Sequence, residues 1–180
     1  MSRAFTTLLL SIGLWLGIPP SLRAQDTQYS EDAVKAAYLH RFAAYVEWGT
    51  PPQPDTPFII GVMGSDAVMA QLQRVLPQIN VQGRAAEARS VKRVADLENV
   101  SVLYIAPGQL TAARSLLAAA ASHAVLVVTD DDKGLEAGGV INFLRKGANV
   151  RFEVSVPAAD RHGLKIDAAL LAVAARVETR

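Results

Sequence analysis

Residues 100–128 read VSVLYIAPGQLTAARSLLAAAASHAVLVV, and they predict a strand, a helix and a second strand in succession. Apolar residues occupy both faces of the first run, Val100 to Ile105, and of the second, Ala124 to Val128. Such runs are typical of parallel strands that are covered by helices. Pro107-Gly108 ends the first strand, and an Ala-rich helix is predicted from about Gln109 to Ala121. Because a helical crossover joins parallel neighbours, the stretch predicts an open parallel sheet.

A similar unit precedes this stretch. Phe58 to Met63 predicts another buried strand, and Gly64-Ser65-Asp66 turns into a helix from Ala67 to about Leu76. Ala85 to Ser90 predicts a short strand after it. Further upstream, a helix is predicted from Ser30 to Trp48, because apolar residues recur there at helical spacing. That apolar stripe consists of Val34, Tyr38, Phe42, Tyr45 and Val46.

The pattern changes after residue 139. Val140–Leu144 and Val150–Val156 predict the two arms of a β-hairpin. In the second arm, apolar residues alternate with Arg151, Glu153 and Ser155, as in a strand with one face in solvent. This alternation predicts that the hairpin lies toward an edge of the sheet.

The last stretch predicts a helix that begins at the cap residue Asp167 and ends at about Val177. The sequence therefore predicts an α/β fold. Its sheet is mainly parallel and open, with helices on both faces, an antiparallel hairpin toward one edge and a C-terminal helix.

The composition is that of a protein with a core of its own. The chain has 180 residues, of which 51% are apolar and 19% charged, and it has no Cys. This excludes a chain that is disordered over most of its length and a small disulfide-stapled protein. We expect a single domain over residues 25–180, with residues 25–30 flexible.

The first 24 residues are interpreted as a secretory signal peptide. Arg3 precedes an apolar run, Leu8 to Ile18, that is too short to cross a bilayer, and a Pro pair precedes the small residue Ala24. Cleavage after Ala24 would place the mature chain outside the cytoplasm of a bacterium, and an uncleaved anchor is the alternative. The mature chain would keep 16 basic against 17 acidic residues, a balance that does not favour nucleic-acid binding.

The search for catalytic and metal-binding motifs predicts no catalytic residue, no metal site and no cofactor. The sequence has no Gly-x-Ser-x-Gly motif and no Cys nucleophile, and His40, His123 and His162 lie far apart. Asp130-Asp131-Asp132, at the end of a buried strand, could hold Mg²⁺ or Ca²⁺ or act as a general base in a hydrolase. We favour a solvated turn for these three residues.

The turns after two predicted parallel strands offer a second candidate site. Gly64, Ser65 and Asp66 follow one strand, and Pro107 and Gly108 follow the other. Ligands of open α/β sheets bind beyond the carboxyl ends of the strands. This crevice supports an alternative function, a periplasmic small-ligand receptor that feeds a transporter or a sensor kinase. A cap and a turn remain the alternative role of residues 64–66, because Asp66 would repel an anion.

Several motifs in order along the chain resemble the YfiR family of bacterial periplasmic proteins, and the match covers nearly all of the mature chain. The motifs are Val34–Leu39 with Phe42-Ala43 and Tyr45–Trp48, Phe58–Val62 with Gly64 and Asp66, Gly138–Phe143, Val150–Val154, Gly163–Ile166 and Leu170-Leu171.

The resemblance implies a periplasmic α/β domain, commonly a homodimer. It implies a regulator, not an enzyme, that binds the periplasmic sensor region of an inner-membrane diguanylate cyclase of the YfiN type and represses it. Cyclic di-GMP and biofilm formation would fall as a result. The chain departs from the family's namesake in having no Cys, so a redox-sensitive disulfide cannot be its input.

The partner-binding surface is predicted in the C-terminal region, at Leu164, Ile166, Leu170 and Leu171. These side chains flank Gly163 and begin the last helix, where apolar area can stay uncovered. The alternative is that all four pack into the sheet. Arg151 and Glu153, on the predicted solvent face of the edge strand, are candidate contacts at the rim.

Overall fold

The computed structural model describes residues 30–49, 55–146 and 149–180, with no side-chain description for Lys146. The predicted signal peptide, residues 1–24, the predicted flexible residues 25–29 and the middle of the predicted hairpin turn lie outside these ranges. Within them, no helix has the length and apolar character that crossing a membrane requires.

The described residues form five α-helices and ten strands, joined by short 3₁₀ turns. In chain order they are α1 (Glu31–Phe42), β1 (Val46–Trp48), β2 (Phe58–Met63), α2 (Asp66–Val75), β3 (Asn80–Val81), β4 (Arg84–Ser90), β5 (Val100–Ile105), α3 (Arg114–Ala120), β6 (Leu126–Thr129), β7 (Ile141–Lys146), β8 (Asn149–Ser155), α4 (Val156–Arg161), β9 (Leu164–Ile166), α5 (Ala168–Val173) and β10 (Arg176–Glu178).

The main sheet has eight strands in the order β10-β8-β7-β6-β5-β2-β4-β3. Its pairs are parallel except for the hairpin β7–β8 and the short pair β3–β4. A separate antiparallel pair joins β1 to β9. The predicted fold class is confirmed: a mainly parallel sheet, an antiparallel hairpin near one edge and a helix near the C-terminus.

Two apolar cores cover the two faces of the sheet, because successive side chains of a strand point to opposite faces. In β2, Phe58, Ile60 and Val62 face the larger core, together with α1, α2, α4 and α5. Ile59 and Met63 face the smaller core with α3. The prediction of helices on both faces is therefore confirmed.

Helix α1 is shorter than predicted. It ends at Phe42, and a 3₁₀ turn leads into β1, so Trp48 lies in a strand. The helix buries Lys35, Ala36, Leu39 and Phe42, whereas Val34 and Tyr38 are half-buried and Tyr45 is exposed. The predicted stripe is confirmed at Tyr38, Phe42 and Val46, which lie in or against the larger core, and wrong at Tyr45, which follows the end of the helix.

The C-terminal region contains three elements that the sequence did not predict. Helix α4 follows β8 directly, and β9 pairs with β1. The last helix has the predicted cap, Asp167, but it ends at Val173 and not near Val177. Ala174 is extended and the Ala175 N–H donates to the Phe152 carbonyl at 2.8 Å, so the chain continues as β10 beside β8.

Candidate functional site

The four leucine and isoleucine side chains predicted to bind a partner divide into two buried and two half-buried residues. Leu164 on β9 and Leu170 on α5 are buried in the larger core. Ile166 and Leu171 pack against that core but keep part of their surface in solvent. The alternative that all four pack inward is therefore correct for Leu164 and Leu170, and only Ile166 and Leu171 stay within reach of a partner.

Glu153 does not lie on a solvent face, as its alternation with Phe152 and Val154 predicted. Its exposed fraction is 4%. Strand β10 pairs with the outer side of β8 and places Arg176 beside Glu153. Its carboxylate accepts a hydrogen bond from Asn142 Nδ2 at 2.9 Å and one from Arg176 Nε at 2.7 Å. Arg151, its neighbour but one, is exposed as predicted and donates to the Val173 carbonyl at 3.4 Å.

Two exposed apolar side chains flank this region, and the sequence did not single out either as a contact. Val173 at the end of α5 is 58% exposed, and Tyr45 before β1 is 41% exposed. The apolar spacing of the first helix predicts Tyr45 in the core. Val173 is not predicted as a contact, because it lies off the apolar stripe of the last helix. The signal that could have found it is a large β-branched residue that lies off the Leu170-Leu171 stripe of that helix.

Backbone contacts bring Tyr45 and Ile166 to one end of helix α5, and a side-chain hydrogen bond brings Arg151 to the other end. The Asp167 N–H, at the cap of α5, donates to the Tyr45 carbonyl at 2.8 Å, and Ile166 pairs with Val46 next to Tyr45. At the other end of α5, Arg151 bonds to Val173. A helix of six residues is only about 9 Å long. We call the set Tyr45, Ile166, Leu171, Val173 and Arg151 the α5 surface.

The turns of the predicted ligand crevice make hydrogen bonds within the protein. The Ala106 N–H donates to the Met63 carbonyl at 3.0 Å, so the two predicted turns do come together. Ser65 caps α2 by accepting from the Val68 N–H at 3.1 Å, and the exposed Asp66 is the first residue of α2. Gly64 and Gly108 both have positive φ.

The side chain of Gln109 occupies the space beside Gly64. A Cβ added to Gly64 would lie 2.5 Å from Gln109 Cγ. The Gly108 N–H donates to Asp131 at 3.3 Å, and Pro107 is exposed. The larger of two described cavities, of about 810 Å³, lies between α1 and α2, away from these turns.

Asp130 takes part in an ion pair that the sequence did not predict. Lys35, which is 6% exposed, donates to Asp130 and to Glu31, the latter at 2.6 Å. The Tyr104 hydroxyl also donates to Asp130, at 2.9 Å. Burial, followed by the charge of Asp130, raises the pKa of Tyr104, so the phenol stays protonated and keeps donating.

The two neighbours of Asp130 differ from it. Asp131 accepts from the backbone N–H groups of Gly108 and Lys133, and Asp132 is exposed, as in a turn. Among the residues described, no cluster of three His or acidic side chains could hold a metal ion. The interpretation of a solvated turn fits Asp131 and Asp132, whereas Asp130 is a structural partner of α1.

The histidines have separate environments. His123 is exposed, and burial together with Arg41 lowers the pKa of the half-buried His40. His162 is buried, and its Nδ1 lies 2.8 Å from the Val125 carbonyl, so Nδ1 carries the hydrogen and donates it. Burial lowers the pKa of His162, although this hydrogen bond opposes the shift.

Comparison with protein families supplies the identification. A family model described as YfiR/HmsC-like matches residues 32–175. The chain belongs to the YfiR/HmsC-like family. This family is periplasmic and regulatory, and the resemblance found in the sequence motifs is confirmed.

Comparison with individual proteins adds the fold alone. No curated protein matches the chain. One similar solved structure is described as a conserved domain protein from Vibrio cholerae O1 biovar El Tor, and it is 14% identical with a TM-score of 0.55. The alignment covers 82% of this chain and 60% of that one, so the chain spans less than two thirds of that protein's length.

The motif Gly138–Phe143, by which the chain resembles other YfiR-like proteins, builds a buried row of polar side chains. Strand registers place Thr129 beside Asn142 and Asn142 beside Glu153. Thr129 Oγ1 donates to Asn142 Oδ1 at 2.8 Å, and Asn142 Nδ2 donates to Glu153. Gly139 lets the loop before β7 lie on this row, since a Cβ there would meet Thr129 Oγ1 at 2.7 Å.

Proposed function

We propose that this chain is a periplasmic repressor that binds the periplasmic sensor region of an inner-membrane diguanylate cyclase. Membership of the YfiR/HmsC-like family is the observation that carries the proposal, because that family is periplasmic and regulatory. Repression would lower cyclic di-GMP and with it biofilm formation. Removal of residues 1–24 on export is part of the same proposal.

The α5 surface is the proposed contact. Interface centres are rich in apolar and aromatic side chains and in Arg, with polar groups at the rim. Three large apolar side chains of the described residues are clearly exposed, and two of them, Tyr45 and Val173, belong to this surface. The buried residues Leu164 and Leu170 fix β9 and α5 to the larger core. Glu153 holds β10 by accepting a hydrogen bond from Arg176.

The mechanism is a shift between two conformations of the partner. A protein that binds both conformations of an enzyme equally well changes nothing, however tightly it binds. The α5 surface must therefore bind the inactive arrangement of the sensor region better, and each tenfold preference corresponds to about 1.4 kcal/mol. No bond is made or broken by the repressor. We also propose that it acts as a homodimer, as the resemblance implies.

The surface assignment is tested with two matched Val→Asp variants. Val173→Asp places a charge on the most exposed apolar side chain of the α5 surface and should weaken binding to the periplasmic segment of the cyclase at least about tenfold. Val94→Asp is the control, because Val94 is 38% exposed and lies in the turn before β5, away from α5. Affinity is measured by calorimetry with the purified segment.

Equal affinity of the two variants would contradict the surface assignment. Loss of binding in both would also contradict it, provided that circular dichroism shows both variants folded. Leu170→Asp is unsuitable for this test, because a charge at a buried position would unfold the protein.

A further inference from the structure

Strand β4 has one edge that is largely unpaired. Its inner edge pairs with β2 from Ala86 to Ser90. On its outer edge, β3 pairs only with Arg84 and Ala85. Within the part of the chain that the structure describes, no strand covers the outer edge from Ala86 to Ser90. Such an edge presents unpaired backbone groups that can bind another strand.

The direction of these backbone groups follows from one hydrogen bond. The Val91 N–H donates inward to the Val62 carbonyl at 3.0 Å. Backbone groups of successive residues in a strand point to opposite sides, so those of Glu87 and Arg89 also point to β2. The N–H and C=O groups of Ala86, Ala88 and Ser90 therefore point outward, where a new strand would bond to them.

The side chains on this edge have opposite charges on either side of a small residue. Glu87 and Arg89 are exposed, and Arg89 Nη2 lies 3.1 Å from Glu87 Oε1. Ala88 lies between them and points to the other face. In an antiparallel pair centred on Ala88, Glu87 faces Arg89 of the second copy, and Arg89 faces its Glu87. A twofold axis through Ala88 therefore gives two pairs of opposite charges, one on each side of the axis.

Two neighbouring registers of the same edge are repulsive. Centring the pair on Glu87 or on Arg89 places like charges opposite each other, which destabilises a sheet. The register centred on Ala88 meets both requirements. It gives two attractive charge pairs, and the N–H and C=O groups of the central residue point outward to the second copy. Because the edge complements itself, the partner it fits best is a second copy of this chain.

We infer that the β4 edge, Ala86 to Ser90, joins two copies of this protein into one continuous sheet by antiparallel pairing about a twofold axis at Ala88. This inference deepens the homodimer proposed above and gives it a surface. The Tyr45 end of the α5 surface lies beside the β3–β4 turn, because Gln82 Nε2 donates to the Ala43 and Val46 carbonyls at 2.8 and 3.3 Å. Its Val173 end lies beside β8.

A charge swap tests the register. Arg89→Glu places Glu opposite Glu in both pairs, and we expect the dimer dissociation constant to rise at least about tenfold in analytical ultracentrifugation. The double variant with Glu87→Arg and Arg89→Glu has the original composition and restores both attractions, so dimerisation should return. Arg114→Glu, at an exposed position on α3, is the control for a change in net charge.

A single introduced thiol tests the position of the axis. The native chain has no Cys, so Ala88→Cys provides one thiol per copy. Residues in a hydrogen-bonded antiparallel pair have Cα atoms about 5.5 Å apart, within the range that a disulfide spans. We expect mild oxidation to link Ala88→Cys into a covalent dimer and to leave Ala118→Cys, on the exposed side of α3, mainly monomeric.

Three results would overturn the inference: a chain that stays monomeric at all concentrations, a dimer unaffected by Arg89→Glu, or no cross-link through residue 88. Its failure is distinguishable from that of the proposed function. If a dimer with these properties does not bind the cyclase segment, the interface stands and the repressor function fails. If Arg89→Glu is monomeric and still binds the segment, the interface stands and binding to the cyclase needs one copy only.

Discussion

At the scale of single residues, Lys35 connects helix α1 to the ends of strands β5 and β6. Its ammonium group lies between Glu31 on its own helix and Asp130 at the end of β6, and Asp130 also accepts from Tyr104 on β5. Arg145 on β7 pairs with Glu31 as well. A buried charge is stable only when it is paired and hydrogen-bonded. This network fixes α1 over the sheet.

Removal of the Lys35 charge should destabilise the protein. Lys35→Met keeps the length of the side chain but leaves Asp130 partly buried without its cation, which costs about 3 kcal/mol in comparable pairs. Lys133→Met, at an exposed position, should change the free energy of unfolding by less than about 0.5 kcal/mol. Urea denaturation measures both. Equal stability of the two variants would show that the Lys35 pair contributes nothing.

His162 should make stability depend on pH. Burial lowers its pKa in the folded state, so between the folded and the unfolded pKa the unfolded chain binds more protons. Its contribution to stability is therefore complete above the unfolded pKa of about 6.5 and is lost as the pH falls below it. His162→Asn keeps a donor for the Val125 carbonyl but does not titrate.

The test compares the free energy of unfolding at pH 7.5 and pH 5.5. Wild type should lose more stability over this range than His162→Asn does, and His40, present in both proteins, cancels in the comparison. The same loss in both would show that His162 does not contribute to the pH dependence.

At the scale of secondary-structure elements, β10 decides the environment of β8. By pairing with β8, it converts a strand with one predicted solvent face into an interior strand, and it brings Arg176 to Glu153. The buried row Thr129, Asn142 and Glu153 then ends in an ion pair near the surface. This row holds the hairpin and β10 together on the face of the sheet opposite the larger core.

Two substitutions in β8 should have very different effects. Glu153→Ala leaves the buried amide of Asn142 without its acceptor and releases Arg176, and it should cost about 2–3 kcal/mol. Arg151→Ala, two residues away on the same strand but exposed, should cost less than about 0.5 kcal/mol. Thermal and urea unfolding measure the difference. Similar small losses would mean that water replaces the partners of Asn142, so that the row contributes little.

Sequence predicted the elements that extend over several periods of a pattern. β2, β5 and β6 are continuous apolar runs, and the caps Ser30 and Asp167 are residue types that accept a backbone N–H. Strands β9 and β10 have three residues each and α4 has six, so periodicity cannot reveal them. Strands β9 and β10 depend on pairing with β1 and β8, which are distant from them in sequence.

The partner contact in β9 and α5 stays a prediction. Two of its four apolar residues, Leu164 and Leu170, are buried, so the sequence predicted the exposure of these side chains only in part. The side of a six-residue helix that faces solvent is set by its packing partners and not by its own sequence. Lys35 was missed for a related reason, since a lysine on a helix is normally exposed.

At the scale of the whole molecule, two surfaces of one sheet carry the proposed contacts. The proposed dimer edge lies on β4, next to β3, and the α5 surface extends from Tyr45, near the β3–β4 turn, to Val173, near β8. A repressor of this design holds its contact residues on packed elements, which reduces the entropy lost on binding. Its effect on the cyclase depends on the preference for one conformation, so affinity and repression can be separated by experiment.

The measurement that tests this most directly is the rate of cyclic di-GMP synthesis by the full-length cyclase in lipid nanodiscs, titrated with the exported chain. We predict a saturable fall in rate at concentrations that match the measured binding, no fall with Val173→Asp, and a normal fall with Val94→Asp. An unchanged rate when the chain is fully bound would contradict the account.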